Sequence, residues 1–167
     1  MLECFEFKSD SKDSVEASHR LSLTFEQRQK SRGQAETETG EKIGWFVERG
    51  HVLADGNILV AKTGEVIHIT AADEILSEVH SHDALALTKA AYHLGNRHVP
   101  LQIINGYLHF QHDHVLDDMV RGLGLTVSCV EKPFHPESGA YHSHGASEDS
   151  AHGHHHLHPH EHSHSHA

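Results

Sequence analysis

The chain has 167 residues, and 24 Asp and Glu outweigh 13 Lys and Arg, so its formal net charge is -11. This acidity argues against nucleic-acid binding, which needs clustered positive charge. Histidine is unusually frequent, with 22 residues. Imidazole titrates near neutral pH and is the commonest metal ligand, so metal binding or pH sensing is the first function to consider.

Several other classes of protein are not expected. No apolar run approaches the roughly 18 residues of a membrane helix, and the N-terminus lacks the layout of a secretory signal. Cys4 and Cys129 form no CxxC pair and are predicted to be small, reduced core residues. Without a Walker, GxSxG, HExxH or Rossmann motif, we expect no enzyme. The prediction is a cytoplasmic protein that binds neither nucleic acid nor membrane.

Residues 1–72 are predicted to form a small all-β domain. Apolar and polar residues alternate there over short runs, with turn signals between them, and helical spacing of any length is not found. The predicted strands contain residues 21–25, 43–47, 58–60 and 66–69.

Residues 27–34 carry Arg28, Lys30 and Arg32 at alternate positions. The pattern is typical of a solvated edge strand whose charges protect it against aggregation. A contact surface for an acidic partner is the alternative interpretation.

Residues 73–134 are predicted to form a second, α+β domain with the element order βαββαβ, which is the ferredoxin-like pattern. Ser81 or Asp83 can cap its first helix, and Gly95 stands where a left-handed C-terminal cap is expected. Asn105-Gly106 suits a type I′ hairpin turn. The predicted elements are a strand at 75–80, a helix at 83–94, a hairpin of 101–104 with 107–110, a helix at 114–123 and a strand at 125–130.

Residues 135–167 are predicted to be a disordered tail, because they contain 12 His, few apolar residues and no Lys or Arg. An affinity tag is one alternative, although a tag is an uninterrupted run, and a pH-dependent solubility tail is another. A flexible store of imidazoles for nickel, copper or zinc is the functional interpretation.

Histidines in the second domain form the other candidate metal ligands. His98 is either a loop histidine satisfied by a backbone hydrogen bond or, near a symmetric dimer axis, a ligand that meets its own copy. His112 and His114 either begin an exposed helix or form a metal pair, with Asp113 capping the helix and fixing their orientation. The pair of His80 and His82 is predicted to be an ordinary surface feature.

Several motifs in the second domain resemble the UreE family of urease accessory proteins. They are YHLGNRHVPLQI at 92–103, HDHVLDDM at 112–119, GLTV at 124–127, and PF at 133–134 followed by PESGAY at 136–141. The first domain is similar more loosely, through KSR at 30–32 and AADE at 71–74.

The resemblance implies a homodimeric nickel metallochaperone with an N-terminal peptide-binding domain similar to one in Hsp40-type chaperones. It implies that His98 from each subunit holds nickel at the interface and that His112 and His114 are secondary ligands. Apo-urease and an accessory GTPase are the implied partners, and zinc or copper could occupy the same histidines. The tail is implied to bind metal through His142, His144, His152, His154, His155, His156, His158, His160, His162, His164 and His166.

Two other functions remain open at this point. A storage or buffering protein for nickel, zinc or copper without a client also needs many imidazoles. A general polypeptide-binding module with an incidental tail is the third possibility. Only the central motif and the separate β domain favour delivery of nickel to apo-urease.

Overall fold

Two β-sheets organise residues 1–8 and 18–138, the part of the chain that the computed structural model describes. The first sheet contains β1 (Leu2–Lys8), β2 (His19–Leu23), β3 (Arg32–Glu36), β4 (Lys42–Phe46), β5 (Ile58–Ala61) and β6 (Val66–Ala71). The second contains β7 (Asp73–His80), β8 (Gln102–Ile104), β9 (Tyr107–Gln111) and β10 (Thr126–Pro133). The helices are α1 (Phe25–Arg28), α2 (Ala84–Gly95) and α3 (His114–Gly122).

The first sheet has the strand order β2-β6-β5-β1-β4-β3. Strand β1, which the sequence pattern did not predict, lies in the middle, parallel to β4 and antiparallel to β5. The alternation along the strands turns one set of side chains inward, and the N-terminal region is all-β apart from one short helix. Its buried core consists of Cys4, Leu21, Leu23, Ile43, Trp45, Leu53, Leu59, Ala61, Ile67 and Ile69.

A single helical turn, α1, interrupts this region where the sequence predicted only strands. Thr24 and Gln27 form a capping box: the Thr24 hydroxyl accepts from the Gln27 amide, and the Gln27 side chain accepts from the Thr24 amide. Each side chain satisfies an amide that the first turn leaves without a partner. Phe25 therefore starts a helix instead of ending a strand.

Arg28 is buried, with an exposure of 3%, so its prediction as part of a solvated edge strand was wrong. Its guanidinium donates to the carbonyl oxygens of Leu53 and Phe134. Buried carbonyls need donors, and the fork of an arginine reaches two at once. Lys30 and Arg32 are exposed, and the edge strand of this segment is β3.

The second sheet has the order β10-β7-β9-β8, and every neighbouring pair is antiparallel. Along the chain its elements follow as βαββαβ. Apolar side chains of α2 and α3 pack with one face of the sheet in a core of Val79, Ala90, Leu94, Leu101, Leu108, Phe110, Val120 and Leu125.

Two predicted turn conformations in this domain were wrong. Gly95 belongs to α2, and the left-handed residue at that helix end is His98, with a φ of 56°. The hairpin at Asn105-Gly106 forms as predicted, with Ile104 opposite Tyr107. Gly106 has a φ of 83° but Asn105 does not have a positive φ, so the turn is not type I′, which needs both.

A small apolar cluster joins the two sheets. The Phe25 and Phe134 rings meet edge to face, with centroids 5.4 Å apart, and both pack against Leu76. The Phe25 amide also donates to Glu74 Oε1 at 2.6 Å. The two sheets consequently belong to one compact unit, residues 1–137.

The first residues of the predicted tail are ordered, which corrects the prediction for that part. The His135 amide donates to Gln102 Oε1 at 3.0 Å, and the Glu137 amide donates to the Leu101 carbonyl at 2.8 Å. These bonds hold the chain beside the start of β8. Residues 139–167, with the tail histidines named above, lie outside the described residues.

The two cysteines differ in their surroundings. Cys4 is buried in the first core, and this burial, with a contribution from Glu65, raises the pKa of its thiol to about 11. Cys129 is exposed on β10, so its prediction as a core residue was wrong. In the described ranges, no helix is long and apolar enough to cross a membrane.

Candidate metal centre

His98 lies at the C-terminal end of α2, in the position that terminates the helix. The His98 amide donates to the Gly95 carbonyl at 2.9 Å, and the Val99 amide donates to the Leu94 carbonyl at 3.3 Å. This pair of bonds is the Schellman motif. In this motif the first of the two donor residues adopts the left-handed conformation. His98 is that residue. Val99, which follows it, packs against the apolar core that contains Leu94.

The other long helix of this domain, α3, ends in the same motif with glycine in the equivalent place. The Gly124 amide donates to the Arg121 carbonyl at 2.9 Å, and the Leu125 amide donates to the Val120 carbonyl at 3.4 Å. Gly124 has a φ of 85°. Glycine adopts this conformation freely, whereas a residue with a Cβ pays about 1 kcal/mol or more. His98 therefore carries local backbone strain that glycine avoids at the end of α3.

One exposed face of α2, the helix that precedes His98, is partly apolar. Leu85 and Tyr92, seven residues apart and hence on one face of α2, are 62% and 64% exposed. The His98 side chain is itself exposed. An imidazole at the end of an uncovered apolar helix face can be approached by another polypeptide chain as well as by an ion.

His112 follows β9 and is fixed on one side by buried polar groups. Its Nδ1 lies 3.1 Å from Ser77 Oγ and 3.5 Å from Asp117 Oδ2. The Ser77 hydroxyl donates to Asp117 Oδ1 at 2.5 Å, and both residues are buried. A metal-ligating histidine usually has its second ring nitrogen held in this way by a carboxylate or hydroxyl, which orients the free nitrogen.

His114 is the first residue of α3 and is exposed. Asp113 caps the helix as predicted, because its carboxylate accepts from the Val115 and Leu116 amides at 2.8 and 3.2 Å. The cap fixes the backbone between His112 and His114. Their exposed rings are thus carried on a rigid junction of strand and helix.

Ser77 and Asp117 were not found from the sequence, although one signal was present for Asp117. It lies three residues before Val120 on the stripe of α3 that faces the sheet, where an unpaired carboxylate would be costly to bury. Such a residue must find partners, and Arg121 Nη2 provides a further one, 3.5 Å from Asp117 Oδ2.

The candidate ligands among the described residues do not form one closed site. In the residues that the structure describes, no group of three or more His, Cys, Asp or Glu side chains is placed to hold an ion. A transition-metal site commonly needs four or more ligands. An ion bound by His98 would therefore need ligands beyond those that the described residues place around it.

A second polar network, which the sequence did not indicate, lies on the sheet face opposite the helices. His109 is buried, and its Nε2 lies 2.7 Å from Glu78 Oε2, which also accepts from Lys132 Nζ at 2.6 Å. The hydrogen bond from Lys132, followed by that from His109, lowers the pKa of Glu78.

Glu78→Gln is expected to make stability less sensitive to acid. Because the pKa of Glu78 is lower in the folded state, its charge stabilises the fold above the ordinary glutamate pKa of about 4.3, and this contribution is lost as the pH falls through the lowered value. Urea midpoints between roughly pH 3 and 7 should show the largest difference between wild type and variant at neutral pH. The exposed Glu131, replaced by Gln, is the matched control, and equal acid sensitivity in Glu78→Gln and wild type would contradict the prediction.

Comparison with known proteins agrees with this arrangement of domains. Residues 7–72 match the family described as UreE urease accessory protein, N-terminal domain, and residues 74–166 match UreE urease accessory protein, C-terminal domain. The Urease accessory protein UreE of Teredinibacter turnerae is 54% identical over 145 residues, covering 87% of this chain and 94% of the relative. That of Saccharophagus degradans is 57% identical over 122 residues, covering 73% of each chain.

A third relative extends the same result. The Urease accessory protein UreE of Alkalilimnicola ehrlichii is 54% identical over 121 residues, covering 72% of this chain and 74% of the relative. Both family domains and these relatives span most of the sequence in the same order. The chain therefore belongs to the UreE family of urease accessory proteins.

Proposed function

We propose that this protein is a nickel metallochaperone, which binds Ni²⁺ through histidines and delivers it to apo-urease during assembly of the urease active site. It is an accessory protein and not an enzyme. The observation that carries the proposal is His98, an exposed imidazole kept in a left-handed position where α3 uses glycine. Neutral imidazole suits nickel, copper and zinc, so zinc or copper can occupy the same histidines.

The proposal includes a homodimer in which His98 from each subunit contributes to one nickel site. The exposed Leu85 and Tyr92 on α2 supply an apolar surface that a second copy would cover. In a two-fold interface a residue meets its own copy only near the symmetry axis, and the proposal places His98 there. This arrangement would supply two imidazole ligands to one ion, one from each chain.

His112 and His114 serve as secondary nickel ligands in this proposal. Support comes from Ser77 and Asp117, which hold Nδ1 of His112 and leave Nε2 directed away from that network. The exposure of both histidines allows an ion to enter and leave. A delivery protein needs such release as much as it needs binding.

The tail histidines, 142–166, are proposed to gather nickel ions for the His98 site. The amide of Glu137, which precedes these histidines, donates to the carbonyl of Leu101, only three residues after His98. Imidazoles attached at that point have a high effective concentration near His98. Transfer from tail to site would then take place within one molecule.

We assign separate roles to three segments of the chain, which are residues 1–72, 73–134 and 135–167. The order β10-β7-β9-β8 with βαββαβ connectivity supports a ferredoxin-like assignment for the second. We assign peptide binding to the first domain, with apo-urease and an accessory GTPase as partners. The two free cysteines are compatible with the reducing cytoplasm, where we expect the protein to act.

The test is delivery of nickel by the full-length protein to purified apo-urease under limiting nickel. His98→Ala is expected to lose the tightest nickel site in a calorimetric titration and to lower urease activation at least about tenfold, as loss of a metal ligand does. His51→Ala, which removes an exposed histidine from the first domain, should keep both.

Two results would count against the proposal in different ways. If His98→Ala kept the tightest nickel site, the assignment of His98 would be wrong. If wild type activated urease no better than the same concentration of free nickel, delivery would be wrong, and a storage role would replace it. The fall of nickel affinity as the pH drops below about 6.5, where imidazole protonates, is common to both functions.

A further inference from the structure

A cavity of about 400 Å³ opens at the other end of α2, away from His98. It lies between the end of β7, the first turn of α2 and the turn of the β8–β9 hairpin. His80 and His82 line it together with Asn105 and Tyr107. Neither histidine takes part in the nickel function proposed above.

The two imidazoles face each other across a short distance. Their ring centroids are 4.9 Å apart and their planes are 83° apart. An ion about 2.1 Å from one nitrogen of each ring, with an angle near 100° at the ion, leaves the two centroids about 5 Å apart. The observed spacing is therefore compatible with two imidazole ligands of a single ion.

The backbone around the pair is held in place by hydrogen bonds that do not use the imidazoles. The Ser81 amide donates to the Gly106 carbonyl at 3.2 Å, and the Asp83 amide donates to Ser81 Oγ at 3.0 Å. The His80 ring packs on Tyr107 with centroids 4.5 Å apart. In the described part of the chain, the imidazole nitrogens that make hydrogen bonds are those of His109 and His112. The nitrogens of this pair are consequently available to an ion.

We propose that His80 and His82 form a second metal site, which binds a divalent ion of the nickel, copper and zinc class with two imidazoles and water. Imidazole favours this class over calcium or magnesium, which prefer oxygen ligands. Because copper(II) binds nitrogen ligands more tightly than nickel or zinc, it should show the highest affinity here. The site does not depend on delivery of nickel to urease.

The charge next to the pair is compatible with a bound cation. The N-terminus of α2 carries a partial positive charge that would repel an ion. The Asp83 carboxylate accepts from the Leu85 and Ala86 amides at 2.9 and 3.2 Å and offsets that charge. It adjoins His82 in the chain.

This site and His98 must hold different ions. The 12 residues of α2 separate them, and a helix of that length spans about 18 Å. No ion can contact both ends at once. Binding at the pair should therefore add to the metal capacity of the chain without displacing an ion from His98.

Copper(II) provides a direct test, because it is paramagnetic and broadens the NMR signals of nearby amides. In ¹H–¹⁵N spectra of the full-length protein, stepwise addition of Cu²⁺ should broaden the Asn105 and Gly106 signals. In His80→Asn/His82→Asn the broadening of these two signals should require at least about tenfold more Cu²⁺. The Arg97 amide, beside His98, should broaden equally in both proteins.

His51→Asn is the matched control and should behave as wild type at the hairpin. If the double variant does not fold, judged from its spectrum without metal, the exposed single variant His82→Asn replaces it with the same expectation. Equal broadening at Asn105 and Gly106 with and without the pair would overturn the proposal. So would wild-type spectra in which these signals stay sharp while Arg97 broadens.

Discussion

His98→Gly is expected to stabilise the fold and to abolish the tightest nickel site in the same variant. Glycine adopts a φ of 56° without a Cβ penalty, so the free energy of unfolding should rise by about 1 kcal/mol. The imidazole is lost, so nickel affinity should fall. Opposite effects on stability and on binding are characteristic of a position kept for function at the expense of local strain.

Two companion variants separate the backbone contribution from the side-chain contribution. His98→Ala keeps the Cβ in the left-handed conformation, so it should lose nickel binding without the gain in stability. Gly124→Ala introduces the same strain at the end of α3, where φ is 85°, and should lower stability by about 1 kcal/mol.

Urea unfolding with a chelator present gives these values without the stabilisation that bound metal adds. If His98→Gly were less stable than wild type under those conditions, the side chain of His98 would be contributing to the fold, and the argument from strain would not hold.

Phe134→Ala is expected to lower the free energy of unfolding by about 3–5 kcal/mol, the usual cost of removing a buried phenylalanine. The ring is fully buried, meets Phe25 edge to face and packs on Leu76, so its loss leaves a cavity where the two sheets join. The carbonyl of the same residue accepts from Arg28, and loosening it would leave a buried guanidinium short of a partner.

Phe46→Ala is the matched control, because Phe46 is 45% exposed and its removal should cost under about 1 kcal/mol, as surface substitutions do. Thermal and urea unfolding of the full chain measure both. Similar losses in the two variants would mean that the junction of the sheets contributes little to stability. The loss of the Phe134 ring should also weaken the hydrogen bonds made by the amides of His135 and Glu137, which follow Phe134 in the chain. Faster hydrogen exchange of these two amides would show it.

Local patterns in the sequence predicted the second domain closely. The apolar stripes and Asp caps place the ends of α2 and α3 within one or two residues of their observed positions. This is because helix periodicity and capping depend on neighbours in the chain. The hairpin at Asn105-Gly106 was predicted for the same reason. In the first domain, alternation indicated strands but not that β1 lies in the centre of the sheet, since strand order depends on pairing between distant segments.

Some wrong predictions concern residues with distant partners, and others rest on local propensity alone. Arg28 reads as a surface charge in its own segment, but it serves a carbonyl at Phe134, 106 residues further on. The left-handed position at the end of α2 was assigned to Gly95 on propensity alone. It falls on His98, because the bonds to Gly95 and Leu94 set the end of the helix three residues later.

The sequence by itself indicated the family of this protein, which the comparisons confirm, and it predicted metal binding by imidazoles. The composition shows many histidines. The segments GNRHVPLQ and HDHVLDDM indicated His98, His112 and His114 as candidate metal ligands. The tertiary structure alone decided how they are held: His98 by a helix terminus, and His112 by Ser77 from a neighbouring strand. It also brought His80 and His82 into one cavity with the hairpin. The contact of Ser77 with His112 and the approach of the hairpin to His80 and His82 join residues that are far apart in the chain, and no local pattern encodes such contacts.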